Sequence, residues 1–193
     1  MYKTESIYVN MSAIVNELLN NLNILSNYDT AISVVHNILD TVLNDDFTIK
    51  SMMSTNSHHY NNDTHSVNVS IYALNLGKYL GLPKQKLIEI GEAALLHDLG
   101  YQTGFKFGVK NLNVLSGIKY HTERIDGSGS PHAIIGDLIP LNARIVGLCD
   151  DFDNLTSNKN DKEAMSVFEA IEYMKKNNTH DSRLLDDMIK IFK

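Results

Sequence analysis

Cysteine is nearly absent from this chain: Cys149 is the single thiol in 193 residues. One thiol forms no internal disulfide, so the fold must rest on a packed core, and the usage fits a reducing compartment. A chain of this length can bury such a core as one domain without covalent staples. Long apolar runs are also missing. No stretch approaches the roughly 18 to 20 consecutive apolar residues that a membrane span needs. Positive charge is in deficit, with 17 Lys and Arg against 23 Asp and Glu, a net charge of −6. That balance argues against a long nucleic acid as partner, because polyanion binders usually carry a basic face. An anionic substrate would need metal ions or a few local cations. The start MYKTESIYVNMSAIV shows no basic segment leading into an apolar run, so no secretory leader is expected. The sequence reads as cytoplasmic, with no membrane partner and no attached sensor or receiver domain.

What is present is helical periodicity. Ile14, Leu18, Leu19, Leu22 and Leu25 share one stripe of a helix over 11–25. Ile32, Val35, Ile38, Leu39 and Val42 mark a second, after a break at Asn27-Tyr28-Asp29. Asn56 to Asp63 reads as a polar loop, and Asp63 or Thr64 is suited to cap a helix from about His65 to Leu80. Gly81 ends that helix, and Pro83 sits where the next begins. Residues 84–97 are apolar on a wide face, as a central buried helix requires, and Gly100 stops it. The glycine-rich stretch 122–139 reads as a structured loop, Pro140 opens a helix to about Leu155, and an amphipathic pair covers 163–175 and 182–192. No alternating strand pattern appears. The expectation is an all-α, single-domain helical bundle.

Three separated elements carry chemistry: His65, the pair His97-Asp98, and Asp150. Two imidazoles and two carboxylates suit a divalent transition metal. Such an ion can activate water and clamp phosphate oxygens. A His-Asp pair alone means little, since eight His and fifteen Asp make about 0.6 pairs expected by chance. Indeed His180-Asp181 is a second one, in a polar stretch that reads as solvated. His97-Asp98 differs because it follows Ala93-Ala94-Leu95-Leu96, at the end of an apolar helix whose dipole favours a cation. On the helix after Pro140, Ala143, Val146, Asp150 and Asp153 form one stripe beside Ile145, Leu148, Phe152 and Leu155. Asp150 and Asp153 therefore project near the packed side, where an unpaired carboxylate is costly, and Asp151 should face water.

These residues carry a resemblance. The chain resembles the HD superfamily of metal-dependent phosphohydrolases, and more closely its HD-GYP branch, associated with hydrolysis of cyclic di-GMP. The matching stretches are HSVNVSIYALNLGKYLGL from His65, AALLHDLG from Ala93, HTERIDGSGSP from His121 and IPLNARIVGLCDDFDNLTS from Ile139. The resemblance implies an N-terminal helical pair over 1–57 packed on an HD-GYP-like domain over 58–193. It makes His65, His97, Asp98 and Asp150 the metal set, with Asp98 able to bridge two ions and to take part in catalysis. His121 matches the first histidine of the family's HHExxDGxGYP signature and would serve a second metal. Arg124, in the same signature, would be catalytic or touch a phosphate; Asp126 would shape the loop or do likewise, or the two would form a structural link. Lys119 and Arg144 would help neutralise the substrate. The implied cofactor is one or two divalent ions, iron or manganese first, with zinc, nickel or magnesium as alternatives.

The departures are as specific as the matches. Thr122 stands where the family has its second histidine, Ser130 where it has tyrosine, and Tyr101 where it has lysine. Asn61 replaces an acidic third-metal ligand found in some members. Only twenty residues separate Gly100 from His121, where the family carries a longer stretch with a helix bearing a further histidine, so that element reads as deleted. The mononuclear set is complete and the binuclear set short by at least two ligands. Two readings stay open: a phosphodiesterase acting on a nucleotide or other phosphoester such as cyclic di-GMP, and a catalytically inactive regulator that binds a nucleotide or a signalling protein.

Overall fold

The helical stripes of the sequence become seven helices among the described residues, which in this computed structural model are Ala13 and 26–44, 62–99, 108–158 and 163–192. They are α1 (Ser26–Asn44), α2 (Asn62–Tyr79), α3 (Lys84–Leu95), α4 (Leu112–Tyr120), α5 (Leu141–Thr156), α6 (Val167–Asn177) and α7 (Ser182–Ile191). Short 3-10 turns occupy His97–Leu99 and Gly136–Leu138. The described residues hold no strand, only a bridge between Asp126 and Ile135. The architecture is all-α, and no described helix is long and apolar enough to cross a membrane. The helix expected over 11–25, the 57/58 boundary, Asn61 and Tyr101 lie outside the described residues.

α2 is the axis of the bundle. Its residues from His65 to Leu74 are buried without interruption, so it is covered on all sides rather than along one stripe. That includes Ser66, Asn68 and Ser70, polar groups that must find partners when removed from water. Ser70 donates to the Gly91 carbonyl of α3 at 3.2 Å. α2 starts at Asn62, so Thr64 lies inside the helix instead of capping it. Gly81 ends the segment at φ +69°, a left-handed turn that glycine adopts without strain. α1 lies against α2 and α3 through Val35, Ile38 and Leu39, all buried. Two polar ties add to this: Lys78 Nζ donates to the Val42 carbonyl at 2.6 Å, and Tyr28 Oη donates to Glu92 at 2.8 Å. On the other side of α2, Tyr72 meets Phe152 of α5 edge to face at 5.2 Å.

Further readings of the sequence need correction. α3 ends at Leu95, two residues early, because the His97 ring takes the Ala94 carbonyl and the chain tightens into a 3-10 turn. The stretch before His121 is short yet holds a helix, α4, capped by Asn111 accepting the Asn113 N–H. α6 starts at Val167, four residues late, behind a reciprocal capping box between Ser166 and Glu169. The pair His180-Asp181 is not solvated. His180 is buried and hydrogen-bonds Asp151, while Asp181 caps α7 and accepts from Arg144.

Candidate metal centre

Five side chains converge where α2, the 97–99 turn, the end of α4 and α5 meet. His65 comes from the first turns of α2, and Asp150 faces it from α5, with Nε2 and Oδ1 3.1 Å apart. The 3-10 turn aims His97 and Asp98 at the same point. His97 Nε2 lies 3.3 Å from Asp98 Oδ1 and 3.7 Å from Asp150 Oδ1. His65 Nε2 lies 4.0 Å from Asp98 Oδ2. His121 follows α4, and its ring sits 5.1 Å from that of His97, as the His65 ring does on the other side. Two overlapping triplets, His65–His97–Asp98 and His97–His121–Asp150, each keep their ligand atoms within 4.8 Å of one another.

Each imidazole is fixed by its outer nitrogen. His97 Nδ1 bonds the Ala94 carbonyl at 2.7 Å and His121 Nδ1 the Ile118 carbonyl at 2.8 Å. Nδ1 must then carry the proton, so Nε2 points inward with its lone pair free. His65 Nδ1 instead meets the Asp153 carboxylate at 2.7 Å. His97 Nε2 is fully buried and has no hydrogen-bond partner. A buried polar nitrogen without a partner is costly, and a cation among two carboxylates would satisfy it. The residues therefore fit a divalent metal by donor type, tautomer and approach. Asp98 is the exposed member, at 54% of its side chain, and opens the cluster to solvent.

The electrostatics agree. Burial disfavours charge on both His65 and Asp150, yet their hydrogen bond overrides it. Asp150 is held at about 2 by His65 and by the neighbouring His97 and His121. His65 is lifted to about 9 by Asp150 and Asp153. His121 goes the other way, lowered by burial and by the proximity of His97. The carboxylates draw positive charge to this point: without a metal it is the proton on His65, which a bound cation would displace.

The remaining sequence candidates have other partners. Arg124 Nη2 donates to Asp151 at 2.7 Å, and its Nη1 donates to the carbonyls of His121 and Glu123, each at 3.0 Å. Asp151 is thus turned toward Arg124 and His180 rather than water, contrary to the helical-stripe reading. Arg144 is engaged by Asp137 and Asp181, both at 2.7 Å, and joins no triplet. Asp126 is exposed and accepts from Ser128 N–H at 3.0 Å and Oγ–H at 2.6 Å, a loop turn. Lys119 lies with its ammonium 5.0 Å from the Tyr120 ring centre. Sequence reasoning passed over Glu123, whose buried carboxylate accepts the N–H groups of His132 at 2.7 Å and Ile134 at 2.9 Å. It also gave no role to Asn68, which donates to Asp153 at 2.9 Å. The available signal was spacing: His65 and Asn68, like Asp150 and Asp153, are three apart on facing helices.

Known proteins resemble the chain in sequence and in fold. The HD domain family matches residues 105–184 of the chain. The chain is 30% identical over 146 residues to cyclic di-GMP phosphodiesterase PA4108 of Pseudomonas aeruginosa, covering 60% of this chain and 35% of that one. It is 29% identical over 147 residues to 3'3'-cGAMP-specific phosphodiesterase 3 of Vibrio cholerae, covering 58% of this chain and 31% of the other. The chain thus spans about a third of the length of these curated relatives. In fold it resembles Bd1817, a HDG"Y"P protein from Bdellovibrio bacteriovorus, with a TM-score of 0.79 at 18% identity over 96% of this chain and 70% of that one.

Proposed function

We propose that the chain is a metal-dependent phosphodiesterase acting on a cyclic dinucleotide such as cyclic di-GMP. The observation that carries this reading is the buried, partnerless Nε2 of His97 between two carboxylates, with His65 and His121 on either side. On this reading His65, His97, Asp98 and Asp150 hold a first ion and His121 contributes to a second, with Asp98 shared. Iron or manganese suits this mixed nitrogen and oxygen set, and the relatives named for cyclic di-GMP and 3'3'-cGAMP support the substrate class. Bound metal would supply an activated water and neutralise phosphate oxygens. The protein's part is to fix the three imidazole tautomers and to leave Asp98 open to solvent. Lys119, Arg124 and Arg144 would help neutralise the substrate, the two guanidinium groups while also paired with Asp151, Asp137 and Asp181. We take 1–57 as an N-terminal helical pair laid on a domain over 58–193, with α1 as its second member.

A second reading, a regulator that binds metal or nucleotide without turnover, is favoured by one observation. Thr122 and Ser130, which replace the family's histidine and tyrosine, are hydrogen-bonded to each other through Thr122 Oγ1 and the Ser130 carbonyl at 2.8 Å. The experiment that separates the two is metal analysis of anaerobically purified protein, then turnover of cyclic di-GMP, 3'3'-cGAMP and the linear dinucleotide with iron or manganese. Hydrolysis that disappears in Asp98→Ala supports the enzyme. Bound metal without turnover of any of the three supports the regulator; absence of metal removes the enzyme and leaves a regulator that binds a nucleotide or a protein.

A further inference from the structure

Three histidines point at the centre, and only one of them is backed by a charge. The outer nitrogens of His97 and His121 rest on backbone carbonyls, Ala94 and Ile118. That of His65 rests on Asp153, a carboxylate with 0% exposure. Its second oxygen takes the side chain of Asn68, one turn along α2 from His65. A carboxylate this deep, with an amide and an imidazole as its hydrogen-bond partners, is an expensive thing to bury. The expense has a rationale if the far nitrogen of the same imidazole carries a cation. Metal on Nε2 would draw electron density through the ring and make Nδ1–H a stronger donor to the carboxylate. The carboxylate in return makes Nε2 the better base.

We propose that Asp153, steered by Asn68, is the positioning residue that makes His65 the anchoring ligand of the metal centre. This rests on the metal reading above. It distinguishes His65 from His97 and His121, whose neutral carbonyl partners fix the tautomer without adding charge.

The substitution Asp153→Asn keeps the shape and removes the charge. Zinc alone is the probe, titrated into metal-free protein against a competing chelator. Wild type should bind, and Asp153→Asn should bind about 10- to 100-fold more weakly, the range of lost outer partners of metal-bound histidines. In the zinc-loaded, diamagnetic proteins, the Nδ1–H proton resonance of His65 should move upfield in Asp153→Asn. That of His97, held by the Ala94 carbonyl, should not move. A purely structural role would shift both or neither. Should Asp153→Asn fail to fold, Asn68→Ala decides: a several-fold loss of zinc affinity in a folded variant supports the assignment, and unchanged affinity overturns it. Zinc binding by Asp153→Asn within twofold of wild type overturns it outright. If wild type itself binds no zinc, the metal reading fails and takes this assignment with it.

Discussion

Gly147 lies in the middle of α5, three residues before Asp150, and the helix rests there directly on the peptide of His121. A Cβ at this position would stand 2.1 Å from the His121 carbonyl oxygen and 3.1 Å from its carbon. Carbon–oxygen contacts settle near 3.3 Å, so Gly147→Ala forces the two segments apart by about 1.2 Å. Alanine favours a helix interior by about 1 kcal/mol over glycine, which works toward stability. Overpacking costs about 1–3 kcal/mol, and here the obstacle is backbone, which cannot swing away, so the upper end applies. The net expectation is a loss of about 1–2 kcal/mol, or roughly 2–8 °C in Tm for a chain of this size. Denaturant unfolding followed by far-ultraviolet dichroism measures it. Displacing His121 by that distance also withdraws its Nε2 from His97 and Asp150, so metal bound per chain should fall. Gly77→Ala is the control. Its Cβ would meet only side-chain atoms, the nearest being the end of Leu87 at 2.7 Å, which can rotate away. If Gly147→Ala were as stable as wild type with unchanged metal content, the close approach of α5 to His121 would not be what positions that ligand.

Other perturbations test separate parts of the argument. Glu123→Ala removes the acceptor for the His132 and Ile134 amides, so we expect a loss of about 1–3 kcal/mol and faster proteolysis within 122–139, read by denaturation and mass mapping of the cleavage sites. Tyr28→Phe should act in a pH-dependent way. Burial raises the Glu92 carboxyl above the ordinary glutamate range, so its folded form prefers the proton, and its ionisation works against folding as pH rises through that raised value. The Tyr28 hydroxyl relieves this by donating to the ionised form; its loss should therefore cost little at pH 4 and about 1–3 kcal/mol at pH 8, measured by urea unfolding at both values. A cost equal at both pH values would mean that the bond serves the neutral acid. Metal itself should stabilise: at a free concentration 100 times its Kd, binding to the native state alone adds about 2.7 kcal/mol, a rise of roughly 5–11 °C. A thermal scan of His97→Ala should show no such rise.

The helices were legible because apolar spacing is a local signal. Ile145, Leu148 and Phe152 point inward in α5 as their spacing requires, and all are buried. α2 was harder, since a helix buried on every side has no stripe to read, and its polar residues look like surface in the sequence. Ser66, Asn68 and Ser70 belong to the interior only because α3 and α5 bring partners to them. His65, His97-Asp98 and Asp150 stood out in the sequence by residue type and order, and the structure brings these side chains to one point. Roles set by tertiary partners were not. Arg124 reads as a free cation until Asp151 is found against it, and His180 reads as solvated until the same carboxylate is found on its other side. Local propensity says nothing of groups 27 and 29 residues apart.

The departures in the glycine loop bear on metal number more than on loop integrity. Thr122 and Ser130 are exposed, and their hydroxyls and backbone pair with each other. The loop is held from beneath by other groups: Glu123 grips two amides, Arg124 grips the His121 carbonyl, and the Ile125 amide bonds the Thr179 carbonyl at 3.0 Å. None of these ties passes through positions 122 or 130. Losing a histidine and a tyrosine there subtracts metal-binding and substrate-facing chemistry while leaving His121 where it was. His65, His97, Asp98 and Asp150 draw on α2, the 97–99 turn and α5, none of which the loop has to reshape. On the proposed metal reading a first ion would thus be independent of the substitutions, and a second, resting on His121 with fewer partners, would be the one they weaken. Metal titration should then show one tight and one weak equivalent, and Thr122→His should tighten only the weak one. Two equal sites in the wild-type protein would refute that separation.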